Sequence, residues 1–288
     1  MPKSIRLLDA PSVQDAVAAL THYGEEAKVV AGGTAVTLML RQGLIQPAAL
    51  VSIARIPGLR DVSAEPGQLR LGALVTHREV ESSGATLDAL PALASTFAKV
   101  ANVRIRNAAT VGGVLAEADY ASDPPCMFVA LDADVEIAGE LGTRTVPVRE
   151  FFRGYYETVL APNELVTGVR VPLLQPGTGA IYAKFQTRSS EDRPCVGVFA
   201  AVRLGADRRC EELRVAVGAA TELPLRLREV EAAAVGRPVS DQVAREVADH
   251  YAEAANPISD LRGSSWYRKE MIRVWVRRAI LAGAGRAA

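Results

Sequence analysis

Apolar and polar positions along the chain switch repeatedly between the spacing of a helix and that of a strand. In SVQDAVAALTHYG, starting at Ser12, apolar residues recur at helical intervals, Asp15 holds the acidic position of a capping box, and Gly24 supplies a stop. Residues 28–31 then read as a buried strand, 34–42 as a second helix ended by Gly43, and 49–54 as another strand, so the opening predicts a small β-α-β-α-β unit. Pro57 and Gly58 punctuate a change. Residues 68–75 alternate like a strand, Thr76 caps a short helix with Glu79 three positions on, 87–101 follow a helical period, and 103–109 read as extended. Asp123 precedes Pro124 and Pro125, an N-cap and first-turn arrangement leading into CMFVALDA. Strand patterns recur at 134–138 and 165–171.

The stretch 172–179, PLLQPGTG, is uncharged, rich in turn formers and reads as a linker. Beyond it, 181–187, 196–204 and 213–219 alternate as three strands, and helical patterns follow at 225–235, 241–255 and 265–282. The predicted class is α+β. A small β-α-β subdomain (1–56) and a larger α/β subdomain (57–174) precede a C-terminal domain (175–288) in which a three-stranded antiparallel sheet is backed by a helical bundle.

Two glycine pairs stand out against this pattern. Residues 109–123 read ATVGGVLAEADYASD, and residues 29–34 read VVAGGT, each running through a Gly-Gly turn toward a predicted helix. Glycine lets backbone amides approach a phosphate without side-chain obstruction, and a helix N-terminus favours negative charge, so the two turns together could hold both phosphates of a dinucleotide. Neither matches the spaced glycines of GxGxxG or GxxxxGK[ST], and a lone Gly-Gly turn is common loop punctuation. Their likeness to each other is what separates them from that background.

Composition narrows the chemistry. With 288 residues, 49% hydrophobic and 23% charged, the chain is long enough to bury two or three cores without staples. Lys plus Arg and Asp plus Glu each number 33, so nothing general attracts it to nucleic acid or a membrane surface. The cysteines, Cys126, Cys195 and Cys210, lack the spacing of a zinc site or disulfide framework and are one short of an all-cysteine iron–sulfur set. The first residues, MPKSIRLLDAPS, have no signal-peptide core, and no apolar run approaches the ~18 residues of a membrane span. A cytoplasmic protein without membrane insertion is expected.

Four segments carry a family resemblance: VVAGGTAVTLMLRQG, VRIRNAATVGGVLAEADYASD, FFRGYYETVLAPNELVTGVRVP and NPISDLRGSSWYRKEMIRVWVRRAI. In this order, and over nearly the whole chain, they resemble the FAD-binding medium subunit of the molybdenum hydroxylases, which include carbon monoxide dehydrogenases and bacterial xanthine dehydrogenases. The resemblance implies FAD clasped by the first two domains and covered at its ring by the third. It places Val30, Ala31, Gly32, Gly33, Thr34 and Ala35 in a first pyrophosphate loop, and Ala109, Thr110, Val111, Gly112 and Gly113 in a second. It puts Asp123 near the ribose, Leu165 and Val166 beside the isoalloxazine, and Lys184 close to the ring. Val114 departs from the polar residue usual after the second glycine pair, which leaves only its backbone amide for a phosphate. The resemblance also implies a small iron–sulfur subunit and a large molybdenum subunit as partners, in a dimer of heterotrimers. FAD here would take electrons from the partner's iron–sulfur clusters and pass them to an external acceptor.

The residues also admit plainer readings. Asp123 could cap its helix, Thr34 and Thr110 could be caps alone, and Lys184 on an alternating strand fits a solvated face. Tyr182, on the same strand face, reads as a core or rim tyrosine before a stacking one. His22, His77 and His250 read as surface, Trp266 and Trp275 as core. Arg104 and Arg106 fit either phosphate contacts or surface ion pairs. No Ser/His/Asp, Cys/His or metal-ligand constellation is evident, so a bound cofactor would carry the chemistry. The alternatives are a stand-alone flavin oxidase or reductase, and a cofactor-free interaction protein. Gly112→Val is expected to release flavin and spare the fold.

Overall fold

The computed structural model describes residues 4–287. The opening unit runs β1 (Arg6–Asp9), α1 (Val13–Tyr23), β2 (Ala27–Val30), α2 (Thr34–Arg41) and β3 (Ala49–Ser52), with the strands parallel in the order β1-β3-β2. Ser12 caps α1 by accepting from the Asp15 amide at 3.1 Å, and Ala16, Val17 and Leu20 bury its inner face against Val51 and Ile53. By contrast α2 buries none of its residues.

The second unit is a five-stranded sheet in the order β4-β5-β10-β6-β7. Its strands are β4 (Val62–Glu65), β5 (Gln68–Gly72), β6 (Asp134–Gly139), β7 (Gly142–Pro147) and, after α9 (Val148–Phe151) and the small ladder β8 (Phe152–Gly154) with β9 (Glu157–Thr158), β10 (Leu165–Pro172). Between β5 and β6 the chain forms α3 (His77–Ser82), α4 (Gly84–Ala89), α5 (Pro91–Phe97), α6 (Val103–Arg106), α7 (Val111–Glu117) and α8 (Asp123–Ala130). The Thr76–Glu79 capping box is complete, the Thr76 amide donating to Glu79 Oε2 at 2.7 Å and the Glu79 amide to Thr76 Oγ1 at 3.1 Å.

Three expectations change here. The helix expected over 87–101 is two, because Pro91 starts α5 and cannot continue α4. Residues 103–109 are not extended: Asn102 accepts from the Ile105 amide at 3.1 Å and caps the short α6. Asp123 is not the N-cap of α8, since Ser122 takes that position and Asp123 opens the helix with its carboxylate turned elsewhere.

The last unit is the antiparallel sheet β11 (Thr178–Phe185), β12 (Val196–Leu204) and β13 (Cys210–Gly218), followed by α10 (Arg228–Ala234), α11 (Asp241–Ala254) and α12 (Ser265–Ala284). Strand alternation divides this sheet between two cores. Val198, Ala200 and Val202 face α11 and α12, while Phe199 and Ala201 join the core of the second unit. Helix α8 lies in that shared core with every residue buried, and this is what fixes the position of the third sheet against the second unit. No helix among the described residues is long and apolar enough to cross a membrane.

Candidate functional site

The glycine pairs meet. A Cβ on Gly32 would stand 1.7 Å from the Ala108 carbonyl oxygen and 2.6 Å from its carbon, so the turn after β2 lies backbone to backbone against the approach to α7. Only glycine permits that distance. Gly33, at φ +71°, is the left-handed residue that turns the strand into α2.

Their hydrogen bonding differs. After β2, the backbone amides of residues 31–36 have no partner among the described residues; the first bond of the helix is Thr37 N–H to the Gly33 carbonyl at 3.0 Å, and Gly33 has no side chain with which to cap. Residues 30–35 are half-exposed. This is a run of free donors at the positive end of a helix, the environment that receives an anion. At the second turn the Val111 amide donates to Val75 at 2.9 Å, Gly112 to Ala73 at 2.8 Å, Gly113 to Thr110 Oγ1 at 3.1 Å and Val114 to Thr110 at 3.0 Å. Thr110 caps α7, and its own amide and hydroxyl hydrogen have no partner among the described residues. A Cβ on Gly112 would meet Ala73 Cβ at 2.6 Å, so Gly112→Val pushes into the core beneath the turn rather than into the cleft, and the expected sparing of the fold does not hold.

His77 supports this second turn from below. Its amide donates to the Ala109 carbonyl at 2.9 Å, and its ring lies edge-on to Phe97 at 4.9 Å. The imidazole is buried, with neither nitrogen in hydrogen-bonding geometry, against the surface position expected for it. Burial pushes its pKa down to about 4 and Arg106 adds to this, against a pull from the Thr110 backbone. His22 and His250 are exposed.

Two of the remaining candidates, Lys184 and Asp123, meet where β11 joins the second unit. Lys184 is not on a solvated face: its ammonium donates to Asp123 Oδ2 at 2.9 Å and to the Lys99 carbonyl at 2.7 Å, with both side chains of the ion pair almost wholly buried. Asp123 Oδ1 accepts from the buried Tyr182 hydroxyl at 2.7 Å. Burial pushes the Asp123 carboxyl above its usual range while Lys184 and Tyr182 pull it back. Lys99 donates to the Tyr182 carbonyl, and burial lowers its pKa. Leu165 and Val166 are both buried, Leu165 among the apolar residues of the first unit and Val166 in the core of the second.

Lys99 carried no signal in the sequence because it falls inside the helical pattern over 87–101; in the structure it lies on the turn after α5, and that connection is tightly held. Arg106 donates to the Val100 and Ala101 carbonyls at 3.0 and 3.1 Å and pairs with Glu81 at 3.0 Å, so its role is to hold backbone; Arg104 is exposed. Ala101 takes φ +42°, a strained conformation for a residue with a Cβ. Trp266 is exposed rather than core, whereas Trp275 stacks on Phe185 at 5.5 Å.

Residues 3–174 match the model of the FAD-binding domain in molybdopterin dehydrogenase, and residues 180–282 match the C-terminal domain of the carbon monoxide dehydrogenase flavoprotein. The chain is an FAD-binding medium subunit of the molybdenum hydroxylase family. It is 31% identical to the 6-hydroxypseudooxynicotine dehydrogenase complex subunit alpha of Paenarthrobacter nicotinovorans, over 99% of this chain and 96% of that one. It is 30% identical to the glyceraldehyde dehydrogenase medium chain of Sulfolobus acidocaldarius, over 96% and 98%. The solved carbon monoxide dehydrogenase of Hydrogenophaga pseudoflava superposes with a TM-score of 0.96 at 32% identity, over the full length of both chains. This family member is thus a flavoprotein component of a dehydrogenase, and FAD is its cofactor.

Proposed function

We propose that this medium subunit holds one FAD noncovalently and relays electrons, taking them from iron–sulfur clusters of a small partner subunit served by a large molybdenum subunit and releasing them to an external acceptor. The observation that carries the reading is the run of free amides over residues 31–36 pressed against the second turn. A pyrophosphate there meets the amides of Ala31, Gly32, Gly33, Thr34 and Ala35 on one side and the Thr110 amide and hydroxyl on the other. Val30 and Ala109 set the backbone of the two turns, and Val111, Gly112 and Gly113 brace the second. FAD, when bound, supplies the ability to take electrons singly and pass them on in pairs.

The ring end of the cofactor is assigned to the joint of β11 with the second unit, where Lys184 stands beside Asp123; the family resemblance adds Leu165 and Val166 to its surroundings. The protein binds, orients and excludes water there. Divisions at 56/57 and 174/175 make three units of this arrangement, the first two clasping the cofactor and the third covering it.

The relatives' names span a nicotine derivative, glyceraldehyde and carbon monoxide. Such dissimilar substrates on chains this alike support a subunit that leaves substrate recognition to a partner, in a complex for which we propose a dimer of heterotrimers working in the cytoplasm. The test is reconstitution of the purified chain with FAD, followed by visible spectroscopy and turnover. One flavin per chain, exchange of electrons with small redox dyes and no oxidation of organic substrates are expected. Robust substrate oxidation by the single chain would contradict the relay, and failure to bind FAD would contradict the site.

A further inference from the structure

The joint assigned above to the flavin ring holds an unequal number of charges. Lys184 and Asp123 face each other at 2.9 Å and are buried together, so their charges largely cancel beyond the pair. Lys99 has no such partner. Its half-buried ammonium donates to the Tyr182 carbonyl, lies 5.8 Å from the centre of the Tyr182 ring, and forms no ion pair among the described residues. Of the charges that act on it, the exposed Arg286 and Lys184 oppose its own, and Asp123, which favours it, is already committed to Lys184 at 2.9 Å. The Lys99 backbone is fixed as well, since its carbonyl is held by Lys184 at 2.7 Å and the next two carbonyls by Arg106. A partly desolvated cation without an ion-pair partner is costly unless an electron-rich ligand completes its surroundings.

We propose that Lys99, rather than Lys184, supplies the net positive charge at the flavin ring, and that Asp123 acts as a positioning residue that cancels the charge of Lys184. The proposal rests on the placement of the ring at this joint. An unpaired charge in a partly dry site acts over a longer distance than a compensated pair. Lys99 therefore favours whichever oxidation state of the flavin carries more negative charge, which is the reduced one, and raises its midpoint potential. Removing Lys184 leaves Asp123 alone, but a carboxyl that burial already pushes toward its neutral form takes up a proton, and the sum of charges at the joint is restored.

The experiment is a reductive titration of the FAD-loaded full chain against reference dyes, comparing the parent with Lys99→Gln, Lys99→Met, Lys99→Arg and Lys184→Met. Glutamine keeps a donor for the Tyr182 carbonyl without the charge, methionine keeps the apolar stem, and arginine keeps the charge. Both neutral Lys99 variants are expected to weaken the preference for reduced flavin about tenfold, a fall of roughly 30 mV for a two-electron couple. Lys99→Arg is expected to stay near the parent, and Lys184→Met to shift by less than half as much. FAD occupancy is read alongside by flavin fluorescence, and the potentials are compared at full loading. A parent-like potential in both neutral variants, or an equal fall in Lys99→Arg, overturns the role of Lys99. If Lys184→Met alone shifts the potential, the ring is at the joint and the assignment of charge is wrong. If no variant shifts it while FAD remains bound, the ring is not at this joint.

Discussion

In the turn after β2 the amides of residues 31–36 have no partner among the described residues, whereas in the turn before α7 those of Val111, Gly112, Gly113 and Val114 are all bonded within the protein. Both turns carry a glycine pair running into a helix, and sequence alone gives them the same purpose. Their glycines serve different needs. Gly32 allows two backbones to touch and Gly33 turns the chain at positive φ, leaving donors exposed, while Gly112 lets α7 settle on Ala73 at the end of β5. On the proposed reading the first turn receives an anion and the second holds the first in place. Val114 replaces a polar residue at little cost on this view, because its amide is already bonded and its side chain is buried.

Substitutions can break this division of labour, and Gly32→Ala should do most. Its methyl cannot coexist with the Ala108 carbonyl at 1.7 Å, so the turns must part; loss of FAD binding is expected in a fluorescence titration, with stability lowered by ~3 kcal/mol or more in urea melts. Unchanged FAD affinity would show that the contact between the turns is dispensable.

Acid should act next, through His77 under the second turn. Its folded pKa of about 4 lies below the unfolded 6.5, so the unfolded chain binds the proton more readily. The stability that the neutral imidazole represents is intact above about pH 6.5, falls as the pH drops toward 4, and is fully lost below that, a total of about 3 kcal/mol. His77→Gln should flatten that part of the stability profile; an identical acid slope would assign the loss to other groups.

Gly112→Ala sharpens the contrast between affinity and stability. Overlap with Ala73 should cost about 1–3 kcal/mol of folding stability, measured by chemical melts, while the folded fraction keeps nearly the parental FAD affinity. A large loss of affinity with full stability would return Gly112 to the cleft. Smallest of the set is Thr110→Val, which removes the cap of α7 at about 1 kcal/mol and one hydroxyl donor to the phosphate, so a several-fold rise in the FAD dissociation constant is expected.

What the sequence made legible follows from where periodicity is decided locally. The strand over 196–204 appears with its expected bounds because alternating residues feed two cores, and the Thr76–Glu79 capping box appears as read, while at Ser12 only the Asp15 amide half forms and the Asp15 carboxylate accepts from the Ser12 hydroxyl instead. The strands β4 and β7 were not legible: they are short, edge-bound and carry few apolar positions. Residues whose surroundings come from distant chain segments were misread. Lys184 is buried because the second unit covers its strand face, and His77 because α3 packs toward Phe97. The glycine pairs were legible as a feature, but which of them keeps its donors free depends on carbonyls at Ala73 and Val75, far away in sequence.

Amide hydrogen exchange on the full chain, with and without saturating FAD, compares the two turns most directly. The expected result is strong new protection over residues 31–36 on adding FAD, with Val111, Gly112, Gly113 and Val114 already protected and little changed, and Thr110 the single responsive amide of the second turn. New protection confined to residues 111–114, with residues 31–36 exchanging as fast as before, would contradict the assignment of the first turn as the pyrophosphate receiver.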